Sequence, residues 1–156
     1  MSDSEVRVED ADAYLTILST EGLRNLGLIA YWAAWVENVL YLVALEWVAS
    51  DRQTAVLLLK GKTAGFIADL MIDIVKTDRV TGSKDGAALA LAIQHAVSAL
   101  RSRNQVLHSA IGGAVAQGHV ALYRKDSVEP RIVPESQLDD VAMDLRAAAE
   151  KLGDCI

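Results

Sequence analysis

Two arginines, an asparagine and a histidine crowd into one stretch, Arg101-Ser102-Arg103-Asn104-Gln105-Val106-Leu107-His108-Ser109. Arginine is a permanent cation whose planar fork of donors matches phosphate oxygens. Histidine is the side chain that exchanges a proton near neutral pH. Asparagine can hydrogen-bond to either. This combination suits cleavage of an RNA phosphodiester. His108 would act as general base or acid on the 2′-hydroxyl or the leaving oxygen, and an arginine would stabilise the charge that develops on the phosphorane. The stretch closes a long Ala- and Leu-rich segment that reads as helix from about Asp85. Gly112-Gly113 is expected to stop that helix, because glycine takes the left-handed cap conformation without a Cβ clash. A helix C-terminus carries partial negative charge, a favourable place for a cationic imidazole.

Arg103-Asn104, three residues, then His108 resembles the Arg-polar-x-x-x-His signature of HEPN domains, the "higher eukaryotes and prokaryotes nucleotide-binding" group. The resemblance covers roughly residues 20 to 154 in architecture, and Arg103, Asn104 and His108 in motif. It implies an all-α, HEPN-like helical bundle, dimeric in most members. Many members are metal-independent endoribonucleases in which two copies of the motif meet across the dimer in one composite site. Carried over, Arg103 neutralises the scissile phosphate, His108 is the general acid or base, and Asn104 orients one of them. Arg101, Arg124 and Ser109 are candidate substrate contacts. Neither a cofactor nor a metal is implied. The partners implied are a second copy of the chain, RNA or a nucleotide, and an antitoxin or other partner protein.

Helix geometry leaves the arginine open. Each residue turns an ideal helix by about 100°, so Arg101, Asn104 and His108 share a face while Arg103 lies well round it. The family register selects Arg103, whereas straight-helix geometry selects Arg101. An arginine of one chain meeting the histidine of another would reconcile the two, as would a tightening of the helix near Ser109. Two other readings remain: a catalytically inactive nucleotide- or partner-binding module, and a plain helical oligomerisation domain.

The remaining chemistry-bearing residues divide between functional and structural readings. Glu37 either pairs with and orients Arg103 or is an interface or surface acid. Trp32 and Trp35 read as packing groups. His95 reads as structural, and His119 as a strand-surface residue. Tyr123 and Arg124 either touch substrate or form a solvated edge. The histidines have no partners at metal-ligand spacing, and Cys155, the single cysteine, is terminal. No P-loop, dinucleotide-binding glycine fingerprint or Gly-x-Ser-x-Gly is present.

The elements that must position these residues follow from length and pattern. A chain of 156 residues, 52% hydrophobic, fits one domain with a real core. Ala, Leu and Val dominate, which favours helix. The net charge of −6 argues against sequence-blind nucleic-acid binding. However, residues 76 to 131 hold eight basic and four acidic residues, so the motif lies in a net-basic window. Residues 1 to 10 read as an acidic, poorly ordered arm, wrong for a signal peptide. A short helix is expected over Asp12 to Leu18. A long one follows, capped at Thr20 and running to about Ala49. Its apolar residues lie on nearly all sides, which predicts a homodimer with this helix near the interface. Glu37 and Asn38 near its middle argue against a membrane span and for a cytoplasmic protein.

Further helices are expected over Arg52 to Leu59, with Ser50 and Gln53 as a capping box, and over Thr63 to Lys76, with Phe66, Ile67, Leu70 and Ile74 as its core face. The motif helix follows a Thr81-Gly82-Ser83 turn and carries a stripe of Leu89, Ile93, Ala96, Leu100 and Leu107. A β-hairpin, His119–Arg124 with Arg131–Val133, precedes a last helix capped by Ser136.

Overall fold

The computed structural model describes residues 18–77, 84–112, 118–125 and 127–156. The expected acidic arm, the helix from Asp12 and the Thr81-Gly82-Ser83 turn lie outside them, apart from Leu18, which is buried. The chain is mostly helical, with a small antiparallel sheet before the last helix. In order, the elements are α1 (Thr20–Trp47), α2 (Arg52–Leu59), α3 (Ala64–Lys76), α4 (Lys84–Leu107), β1 (Ala110–Gly112), β2 (His119–Tyr123), β3 (Arg131–Pro134) and α5 (Ser136–Gly153). The hairpin is therefore joined by a third, three-residue strand, in the order β1-β2-β3. Gly112 lies in that strand and does not stop α4, which has already ended at Leu107.

α1 is the spine of the fold. It packs most extensively on α5, and also on α2, α3 and α4. Ile29, Ala33, Val36, Leu40, Val43 and Ala44 recur at spacings of three and four and are all buried. Leu26, Trp32 and Trp47 are only partly buried against this core. α4 contributes Leu89, Ala92, Ile93, Ala96, Ala99 and Val106. α5 contributes Leu138, Ala142, Leu145, Ala149 and Leu152. The alanines on α4 and α5 let the helix axes approach closely. Ile67, Ala68, Met71 and Val75 form the inner face of α3, so Phe66 is turned outward, with Lys62 Nζ 4.8 Å from its ring centre. Leu107 is likewise largely exposed, at the end of the helix where cover runs out.

Three helix starts differ from expectation by one residue. Ser19 caps α1 in place of Thr20, its hydroxyl accepting from Gly22 N–H at 3.0 Å. The same hydroxyl donates to Glu135, and Ser19 N–H reaches Glu135 at 3.2 Å, which ties the starts of α1 and α5 together. Asp51, not Ser50, caps α2 by accepting from Thr54 N–H at 2.8 Å. At α5 the capping position is Glu135 rather than Ser136, and it makes no side-chain cap bond. Thr63 caps α3 as a side-chain acceptor for Phe66 N–H.

Among the described residues, α1 is the one helix long and apolar enough to cross a membrane by length and composition. Within its most apolar 18 residues, 44% are buried inside the chain.

Candidate functional site

The motif residues occupy the last two turns of α4, and helical periodicity divides them between two faces. Ala92, Ala96, Ala99 and Val106 are all buried, and Arg103 falls on the same row, four beyond Ala99 and three before Val106. A cation on a buried face needs an acceptor. Glu37, from the middle of α1 where that helix passes α4, provides one: its Oε1 accepts from Arg103 Nη2. The Arg103 side chain is 18% exposed and that of Glu37 44%. Arg103 Nε is buried, with no hydrogen-bond partner among the described residues. The pair borders an open cleft of about 320 Å³, whose wall includes Asp69, Arg101, Asn104 and the start of α3.

His108 belongs to the opposite face. Arg101, Asn104, Gln105 and His108 are all exposed and stand three, four and seven residues apart. His108 lies just past the last helical residue, yet its N–H still bonds Asn104 O at 3.2 Å, so its direction continues the helix. The backbone tightens one residue later, where Ser109 N–H bonds Val106 O at 3.1 Å. That tightening comes too late to swing His108 toward Arg103. Five residues of helix separate these two by about 140° of rotation, and they line different clefts within one chain. Arg101 and Asn104 line both.

The His108 cleft, about 560 Å³, is completed from the sheet. Arg101, Asn104, Gln105 and His108 form one wall, Arg124 and Lys125 the other. The register explains why. Leu122 pairs with Ile111 on one side and with Arg131 on the other, while Val120 pairs with Val133. Val120, Leu122 and Val133 are buried, so this is the face turned toward the helices. Partnered residues point the same way, which puts Arg131 on that face. Arg124, just past the end of β2, lines the cleft from the same side. Arg131 Nη1 donates to Gln105 Oε1 at 3.1 Å, and Arg124, Arg131, Gln105, Ser109 and Leu122 line a second depression adjoining the first.

Of the residues expected at the site, His108, Asn104, Arg101 and Arg124 therefore share one cleft, and Arg103 and Glu37 share another. Ser109 borders the adjoining depression, but its hydroxyl donates to Gln105 O at 2.6 Å, which turns it toward the helix end. Lys125, Arg131 and Gln105 were not singled out from the sequence. A hairpin register with Leu122 inward would have pointed to Arg131. His95 Nε2 lies 2.7 Å from Asp144 Oδ1, a clip between α4 and α5 far round from His108. Trp32 is partly buried beneath Arg146, whose guanidinium lies 5.7 Å from the ring centre, and packs edge-on against Tyr31; Trp35 is exposed. His119 and Tyr123 are exposed at the two ends of β2. Among the described residues no group of three or more His, Cys, Asp or Glu is placed to hold a metal ion.

The His108 cleft joins an imidazole to fixed cations, with no acid among the described residues of its wall. It can bind a phosphodiester and move a proton at it. No protein-family model matches this chain, and neither a curated protein nor a solved structure matches it.

Proposed function

We propose that this chain is a metal-independent endoribonuclease of HEPN type, of the toxin or defence class, acting as a cytoplasmic homodimer. The observation that carries the reading is the cleft whose wall His108 shares with Arg101, Asn104, Arg124 and Lys125. His108 takes the 2′-hydroxyl proton or protonates the leaving oxygen. Arg101 contacts the phosphate, and Asn104, four residues before His108 on the same face, orients the imidazole or the phosphate. Arg103, held by Glu37, serves the composite site from the second copy.

An exposed face of α1 supports the dimer. Gly27, Ala30, Tyr31, Ala34, Trp35 and Asn38 are exposed along one side of a helix whose other sides are covered. Two half-exposed aromatic rings beside small residues favour close helix contact, and Glu37 adjoins this face. A second copy docked there would bring another chain's surface next to the Glu37–Arg103 pair.

The test is cleavage of total RNA with EDTA present, comparing wild type with His108→Ala and Arg103→Ala, and examining product ends for 2′,3′-cyclic phosphate. Loss of cleavage in both variants is the expected result. Mixing the two inactive variants should restore part of the activity, because a mixed dimer pairs an intact arginine with an intact histidine across the interface. Cleavage that survives both substitutions refutes the assignment. A second reading, a nucleotide- or partner-binding module without hydrolysis, is favoured by Glu37 already engaging Arg103 and by the separation of Arg103 from His108 within the chain. Saturable binding without cleavage would select it.

A further inference from the structure

We propose that the hairpin extends the His108 cleft into a track for consecutive phosphates, so that the site takes a single-stranded RNA of several nucleotides and not a mononucleotide. The choice of RNA rests on the reading above; the track rests on the arrangement of the cations. The two depressions meet at Gln105 and Arg124, which line both. Along them stand Arg101, His108, Lys125, Arg124 and Arg131, contributed by the end of α4, the turn after β2 and the start of β3. None of the described lining residues is acidic, on a chain whose net charge is −6. A strip of one sign on a protein of the opposite sign concentrates ligands of the opposing charge along its own line.

The contrast between the two buttressed arginines sharpens this. Arg103 is held by a carboxylate, which orients it and offsets part of its charge. Arg131 is held by Gln105, an amide, which orients the guanidinium and leaves its positive charge intact. A neutral brace positions a cation for phosphate without opposing it. Gln105 is thus a positioning residue, placed on α4 one turn before Ser109 with its side chain directed across to β3. One phosphate at Arg101 and His108 leaves Arg131, in the adjoining depression, for a neighbouring phosphate of the same strand. Attack of a 2′-hydroxyl in line with the leaving oxygen requires a nucleotide out of A-form geometry, which single strands provide.

The experiment reads binding separately from cleavage. In a His108→Ala background, anisotropy of a labelled octauridylate is titrated over a range of salt, with uridine monophosphate as competitor. The octamer should bind with a steep salt dependence, and the mononucleotide should compete poorly. Arg124→Gln and Arg131→Gln should each lower the slope of log K against log salt by about 0.7, the value of one lost single-strand phosphate contact. Gln105→Leu should weaken binding on its own and add nothing once Arg131→Gln is present, as expected of a group acting through Arg131. An unchanged slope in Arg131→Gln, or a mononucleotide that competes as well as the octamer, overturns the track even where wild type cuts RNA. Reduced slopes without any cleavage by wild type keep the track and remove the nuclease. Failure of the octamer to bind overturns the track and reassigns the basic strip to an acidic protein partner.

Discussion

The Glu37–Arg103 pair is the point where fold and site can be tested together. Replacing Glu37 by glutamine keeps the size and one acceptor but removes the charge that Arg103 faces. The cost is bracketed by two limits. Breaking a fully buried ion pair costs about 3–5 kcal/mol, whereas an exposed pair contributes about 0–1 kcal/mol. Arg103 lies close to the first limit, with 18% of its side chain exposed and a buried Nε that has no hydrogen-bond partner among the described residues. Glu37, at 44% exposed, lies nearer the second. Water reaching half of the carboxylate screens the pair, so Glu37→Gln should destabilise the fold by about 1–2 kcal/mol. For a chain of this length that lowers the melting temperature by about 3–6 °C.

Urea denaturation followed by circular dichroism, applied to Glu37→Gln, Arg103→Gln and the double variant, isolates the pairwise term. A coupling energy of about 1–2 kcal/mol is expected. The double replacement Glu37→Leu with Arg103→Met should recover most of the lost stability, since apolar groups of similar volume need no acceptor there. It should not recover RNA cleavage. A coupling below about 0.3 kcal/mol would refute the reasoning, because Glu37 would then neither hold Arg103 nor explain how a cation is tolerated on the buried row of α4.

Three further outcomes are expected. His108→Ala should leave stability within about 0.5 kcal/mol, since the ring is exposed, whereas Leu145→Ala in the α1–α5 core should cost about 2–5 kcal/mol; thermal melts of both separate loss of chemistry from loss of fold. Asp144→Asn should loosen the α4–α5 contact by about 1 kcal/mol, read as a lower urea midpoint with an unchanged slope, and an unchanged midpoint would mean that the His95 clip is idle. The Asp51 carboxyl is held below the usual carboxylate range by its bonds from Thr54. Its capping contribution is therefore complete above the ordinary carboxylate pKa and is lost as pH falls through the lower folded value. The stability difference between wild type and Asp51→Asn should accordingly be present at neutral pH and vanish in acid, and a difference independent of pH would contradict the cap.

What could be read from the chain, and what could not, follows from how far apart the deciding residues lie. Apolar spacing marks out the four helices Thr20–Trp47, Arg52–Leu59, Ala64–Lys76 and Lys84–Leu107, because each must bury one row or more. The caps slipped by one residue where a distant contact decides. Ser19 displaces Thr20 because its hydroxyl also reaches Glu135, and Glu135, engaged in that contact, opens α5 without capping it. The exposed face of Arg101, Asn104 and His108 follows from helical period alone. That Arg103 is buried against Glu37 does not, since it depends on where α1 passes α4. Nor does the hairpin wall, since one residue of register decides whether Arg131 faces the helix end or solvent. These two non-local facts shape the chemistry. They set Arg103 and His108 about 140° apart around α4, lining different clefts. If the pair acts as a unit, a second chain is the simplest way to bring its halves together. If it does not, the cations that share the cleft of His108 are Arg101, Arg124 and Lys125, and Arg103 serves to anchor α4 to α1. Complementation between the His108→Ala and Arg103→Ala variants distinguishes these, because only a site built across the interface can be reassembled from two chains that are each defective.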